Sequence, residues 1–149
     1  MNILVRIKII GTLFVALTIG MQMYPMDPAP GYAIQHNEET HLFEARSCDE
    51  LSQRIGVLGY ALFENQTAFI STLRVEKECR KQGVGSALMQ TALAHFTSIG
   101  MQKVKLQAVG QGSNAQEREA NTKRLYQFYM KFGFGEPDEL DYMVREARR

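Results

Sequence analysis

Arg80-Lys81-Gln82-Gly83-Val84-Gly85-Ser86 lies between a strand-like run, Ala68 to Val75, and a helix-like run, Ser86 to Ile99. A glycine-bearing loop that opens a helix has the makings of a phosphate cradle. The first helical N–H groups have no intrahelical partner, and the helix dipole adds about half a positive charge at that end. Gly83 and Gly85 carry no Cβ, so a ligand can come close to the backbone. Arg80 and Lys81 add the cationic side chains that a diphosphate favours. The plainer reading is an ordinary helix start. Gly costs about 1 kcal/mol relative to Ala in a helix, so two of them need a reason, yet short glycine motifs also arise by chance. On spacing alone both readings stand.

The flanks decide between them. The stretch from Leu73 through Val75, Arg80, Gly83 and Gly85 to Leu88 closely resembles motif A of the GCN5-related N-acetyltransferases. That family's signature is Arg/Gln-x-x-Gly-x-Gly/Ala, and Arg80, Gly83 and Gly85 fill it without a gap. Further on, Phe128-Tyr129-Met130-Lys131-Phe132-Gly133-Phe134 resembles the family's motif B. Without the family, the same residues read as the end of an amphipathic helix. Leu125, Phe128, Tyr129 and Phe132 recur at helical spacing, Gly133 suits a left-handed C′ position, and Ser113 with Gln116 has capping-box spacing. On that reading Tyr129 is one more core aromatic.

The chain has 149 residues, 45% of them hydrophobic, with a net charge of +1. That is enough for one domain with a real core and too little for two. No blanket of basic residues and no aromatic-basic interleaving is present, which argues against a nucleic-acid module. His36, His41 and His95 form no ligand pattern, no zinc spacing occurs, and no metal is expected. Cys48 and Cys79 could pair in an oxidising compartment or remain thiols in a reducing one. Cys79 reads as small filler in the motif loop.

From residue 41 onward the order of elements is regular. Strands are expected over His41 to Ser47, Arg54 to Glu64 and Thr67 to Val75, with a tight turn at Asn65-Gln66. A helix over Ser86 to Ile99 closes at Gly100. Lys103 to Val109 alternates as a half-buried strand. After the loop Gly110-Gln111-Gly112, a helix runs from Ser113 to Phe132. Phe134 and Tyr142-Met143-Val144 supply a final hairpin, with Pro137 in its loop. Strands followed by strand–helix units indicate an α/β fold. The resemblance implies a mixed, mostly antiparallel central sheet flanked by helices, with a shortened or atypical N-terminal part. The expected organisation is an apolar N-terminal segment over 1–26, a linker over 27–40 and an acetyltransferase-like domain over 41–149.

The departure from the family is at the front, where a strand and two helices would normally build much of the acceptor site. Arg6 and Lys8 precede an apolar run, and no charge appears until Asp27. This reads like a secretory signal, and the run is short for a spanning helix, which needs about 20 apolar residues. Three explanations stay open: an export signal or membrane anchor, a buried element replacing the missing front, or a true start at Met21, Met23 or Met26. A cytoplasmic location follows from an acetyl-CoA requirement, and an exported or membrane-associated one from residues 1–26.

The resemblance implies acetyl transfer from acetyl-CoA to an amine of a small molecule or protein, by direct attack in a ternary complex. It places the amides of Gln82, Gly83, Val84, Gly85 and Ser86 on the pyrophosphate, with Arg80 and Lys81 beside it. It sets the backbone of Leu73 and Val75 along the pantetheine arm, makes Tyr129 the proton donor to the leaving thiolate, and leaves Asn121 as a weaker cofactor contact. A base is harder to place. A lysine-like amine of pKa about 10.4 must lose a proton, costing roughly 4–5 kcal/mol at pH 7. The strand offers Ser71 and Thr72, with only Glu64, Glu76 and Glu78 near it. A non-catalytic acyl-CoA-binding or partner-binding module on the same fold is the alternative. Homodimerisation would be one way to rebuild an acceptor wall.

Overall fold

The computed structural model describes residues 31–48 and 52–147. The readings placed on residues 1–26 lie outside that range. In chain order the elements are β1 (Tyr32–Asn37), β2 (Leu42–Ser47), β3 (Arg54–Phe63), β4 (Thr67–Val75) and a 3-10 turn (Lys77–Cys79). Then follow α1 (Val84–Ser98), β5 (Lys103–Gln107), α2 (Ala115–Met130) and β6 (Tyr142–Glu146). The six strands form one sheet in sequence order. Every neighbouring pair is antiparallel except β4 with β5, which the α1 crossover makes parallel.

Alternation along the strands puts Phe43, Leu58, Ile70, Leu106 and Met143 on one buried face. On α1, Val84, Leu88, Ala92 and Phe96 recur every fourth residue and close over that face. Burial of each large side chain there contributes about 1.5–3 kcal/mol. Gly56 makes the approach tight, because a Cβ on it would stand 3.0 Å from both Leu88 Cδ1 and Val84 Cγ1. Ion pairs do little beside this: Glu44 bridges Arg46 and Arg54 at the β2–β3 edge, and Lys123 pairs with Glu119 on the exposed side of α2.

Three expectations change. Part of the stretch read as linker, 27–40, is strand: β1 pairs with β2 from Tyr32↔Ser47 to Asn37↔Leu42. Tyr32, Ile34 and His36 turn inward while Ala33, Gln35 and Asn37 face water. An edge strand needs only one apolar row, and its polar row is what hid it. Second, α2 starts two residues late. Asn114, not Ser113, is the N-cap, accepting from Glu117 N–H at 2.8 Å, and the Glu117 carboxylate takes both the N–H and the hydroxyl of Ser113. The box is set one residue on from the expected Ser113/Gln116 pair, because Asn114 already has the extended φ of −139° that a cap requires. Third, the final hairpin does not form as a strand pair among the described residues. Phe134 is buried, and the segment after it meets Tyr142–Val144 through only two backbone bonds, Gly135 N–H to Val144 O and Asp138 N–H to Tyr142 O, each 2.9 Å. Pro137 has no N–H to extend a ladder, and Tyr142–Glu146 instead pairs with β5.

The end of β5 and the middle of α2 meet backbone to backbone at Gly110. Its N–H donates to Thr122 Oγ1 at 2.8 Å, and a Cβ there would lie 2.3 Å from Thr122 N and 2.6 Å from Arg118 O. Neither obstacle is a flexible side chain. Gly110→Ala is therefore expected to lower unfolding stability by about 3 kcal/mol, read from the urea midpoint. Asn114→Ala, which removes only the cap, should cost about 1 kcal/mol in the same assay.

Candidate acyl-donor site

The site begins with a break in β4. Its partners on β3 run from Thr67 to Ile70, skip Ser71 and resume at Thr72, so Ser71 is the extra residue of a bulge. The sequence carries a trace of this. Ala68 and Ile70 face the core from even positions, and Leu73 and Val75 do so from odd ones. A strand of period two can change phase only by inserting a residue.

Past the bulge β4 stands apart from β5. The parallel ladder covers only Thr67↔Lys103 to Ile70↔Leu106, while β4 continues to Val75 beside β3. At about 3.3 Å per residue this leaves roughly 16 Å of open strand edge. Beyond Leu106, β5 leans the other way: Gln107 pairs with Tyr142, and Ala108 N–H donates to Asp141 O at 2.9 Å. Glu76 N–H bonds Ile55 O on β3, whereas Val75 O is taken from the open side by Arg80 Nε at 3.1 Å. Because successive residues alternate edges in such a ladder, Leu73 and Val75 turn their backbone groups toward the gap.

The loop brings the helix start to that gap. Arg80 is held by its bond to Val75, and Gln82 Nε2 donates back to Glu78 O at 3.0 Å. Lys81 and Gly83 both have left-handed backbones, at φ 64° and 82°. Gly83 is the α1 N-cap, and no side chain caps the helix there. The first intrahelical bond is Ala87 N–H to Gly83 O at 2.9 Å, so the amides of Val84, Gly85 and Ser86 precede any helical partner. The first turn also holds no acidic side chain.

The two glycines therefore have different reasons. Nothing lies within 4 Å of a Cβ built on Gly83, and its backbone angle is what calls for glycine. Gly85 has no such angle, and a Cβ on it would make only ordinary contacts, 3.6 Å to Val75 Cγ2 and 3.8 Å to Phe128 Cζ. The protein itself leaves room for a side chain at Gly85.

The contact with Phe128 also brings the end of α2 against the start of α1. Tyr129 follows, 7% exposed, with its ring against Phe128 and Phe134. Among the described residues no group bonds its hydroxyl, yet none of their buried side-chain oxygens lacks a partner, so the hydroxyl reaches solvent. Burial pushes this phenol up to about 12. Tyr126, one turn back, is engaged differently: its hydroxyl donates to Asp141 Oδ1, and that bond is the main reason it too is raised to about 12. Asn121 is also occupied, donating from Nδ2 to Gln111 O at 2.6 Å, which pins the β5–α2 loop.

Of the nearby acids, Glu76 and Glu78 are exposed in the loop beside Arg80, while Glu64 lies at the β3–β4 turn, the far end of β4 from the gap. Cys79 is a half-buried free thiol packed on the core, and Cys48 is an exposed one. A shallow hollow of about 380 Å³ between Phe63, Phe69 and Tyr142 is on the sheet face opposite α1, again remote from the gap. Among the described residues no group of three or more His, Cys, Asp or Glu is placed to hold a metal.

Solved structures share this fold. A GNAT family N-acetyltransferase (YhbS) from Escherichia coli, in complex with CoA, superposes with a TM-score of 0.57 at 15% identity, covering 83% of this chain and 85% of that one. An acetyltransferase of the GNAT family from Staphylococcus aureus Mu50 gives 0.56 at 13% identity, over 74% and 70%. PaiA N-acetyltransferase from Thermoplasma acidophilum, in complex with coenzyme A, gives 0.54 at 20% identity, over 71% and 60%. At such identities the likeness is one of fold. Among curated proteins none matches the chain. A sequence model of the acetyltransferase (GNAT) family matches residues 18–134. With that match extending across the parted strands, the glycine loop and the Tyr129 helix, the chain belongs to the GNAT acetyltransferase family.

Proposed function

We propose that this protein transfers the acetyl group of acetyl-CoA to an amine, by direct attack within a ternary complex. The observation that carries the reading is the open edge of β4 ending at an uncapped helix N-terminus. The edge accepts an extended amide-bearing arm as an added strand, and the helix start accepts a diphosphate. YhbS and PaiA, which share the fold, hold CoA in their structures.

In this reading the amides of Gln82 to Ser86 bind the pyrophosphate. Lys81 and the terminal nitrogens of Arg80, whose Nε is already fixed to Val75 O, add positive charge. Leu73 and Val75 align the pantetheine arm, and an N–H of that edge stabilises the oxyanion formed when the amine attacks. Tyr129 then meets the leaving sulfur. A phenol raised to about 12 is a weaker acid than a thiol of pKa about 8.5, so complete transfer would be uphill by roughly 5 kcal/mol. Tyr129 therefore serves as a hydrogen-bond donor to the developing thiolate. The net proton reaching sulfur is the one shed by the acylated amine. With Glu64 remote and Glu76 and Glu78 facing solvent, the first amine proton passes to water, or the acceptor has a pKa low enough to arrive already neutral.

Gly85→Glu sets a negative charge in the first turn of α1, where the backbone tolerates a side chain. The mutant should remain folded, while calorimetry should show acetyl-CoA affinity reduced at least tenfold, because the new carboxylate repels a diphosphate at the helix start. Unchanged affinity would remove the cradle from the reading. Tyr129→Phe should lower kcat by about 10²–10⁴-fold with cofactor affinity retained; equal loss of both would make Tyr129 structural. Its raised value also has a pH consequence. The neutral phenol persists to about pH 12, so the kcat profile should show no falling limb from Tyr129 below pH 11. CoA binding without turnover on any amine would instead mark a non-catalytic acyl-CoA-binding module.

A further inference from the structure

At the opposite end of α1 from the glycine loop, aromatic and imidazole rings from four elements meet. His36 of β1 stacks on Phe43 of β2, with ring centroids 4.1 Å apart and planes 9° from parallel. His95, in the last turn of α1, meets the His36 ring edge-on at 4.3 Å. His36 Nε2 is 2.9 Å from the Tyr60 hydroxyl of β3. This is how β1 reaches across the sheet to the helix, for its other pairing is with β2 alone.

We propose that His36 and His95 form an acid-sensitive latch, holding the edge strand β1 against α1 in neutral solution and releasing it when both rings take up protons. Two imidazolium rings at this separation repel, and each must ionise among aromatic neighbours that solvate charge poorly. A protonated His36 can only donate through Nε2, which fixes the direction of its bond with the Tyr60 hydroxyl.

The charged groups around the pair divide in both directions. Glu38, just beyond β1, favours protonation of both rings, and the carbonyl end of α1 favours it for His95. Burial opposes it for both, and His95 and His41 oppose it further for His36. Tyr60, raised by burial and by Glu38, stays neutral. Burial is the largest influence on each imidazole and leaves both below 6.5. The rings titrate as a pair: once either carries a proton, its field makes the second protonation the costly one. Both groups bind protons more readily when β1 is free. The latch is therefore intact above about pH 6.5 and weakens as pH falls below it.

Amide hydrogen exchange on the full chain at pH 7.5 and 5.0, corrected for the intrinsic pH dependence of exchange, tests this. The opening constant of Tyr32–Asn37 should grow at least tenfold at pH 5.0 relative to that of central β3 and β4 amides. In His95→Gln the growth should be markedly smaller, since only burial and His41 remain to oppose the protonation of His36. A flat β1 opening constant, growth shared equally by β3 and β4, or the same growth in His95→Gln would each overturn the latch. If His95→Gln does not fold, imidazole titration of the parent by NMR decides: both midpoints below 6.5 support the latch, and two midpoints at or above 6.5 overturn it.

Discussion

After Ile70, β4 keeps β3 as a neighbour and loses β5, and the rest of the site follows from that parting. A strand whose edge is unpaired inside a fold must satisfy its N–H and C=O groups elsewhere. Here Arg80 takes one of them, the carbonyl of Val75, and in doing so ties the loop that leads into α1. The unpaired edge and the uncapped helix therefore become one continuous polar surface. The Ser71 bulge lies where the strands part, and a bulge bends and twists the strand that carries it.

The two helices divide the work. α1 is bound to the sheet by its apolar face, with Gly56 admitting Leu88 and Val84 closely, so its first turn is held in place by burial and not by a cap. α2 is placed by polar pins: Asn121 to Gln111, Thr122 to Gly110, and Tyr126 to Asp141. Those pins engage the neighbouring polar side chains of α2, whereas among the described residues no group bonds the Tyr129 hydroxyl. Its burial, which raises the phenol, also ensures that it carries its proton throughout the working pH range.

Much of this was legible in the chain. β4 spans the expected Thr67–Val75 after the Asn65-Gln66 turn, and Gly100 closes α1 with a left-handed φ of 80°. The cradle was readable because a loop of this kind is local, and its glycines, cations and helix start are contiguous. The harder parts were non-local. β1 escaped notice because an edge strand shows only half a pattern. The expected hairpin after Phe134 shrinks to two backbone bonds on the outer edge of β6, because Pro137 has no N–H to carry the ladder on.

The residue order alone thus determined β2 to β5, the two helices, the glycine loop and the family motifs, since these depend on neighbours within a turn or a strand. Tertiary structure decided which glycine answers to the backbone and which has ordinary space for a side chain, as Gly85 shows only against Val75 and Phe128. It also decided that Asn121 and Tyr126 are engaged while Tyr129 finds no partner among the described residues, and that His36 and His95, far apart in the chain, share one environment. Such facts belong to distances between separate segments, and a linear order of residues does not carry those distances.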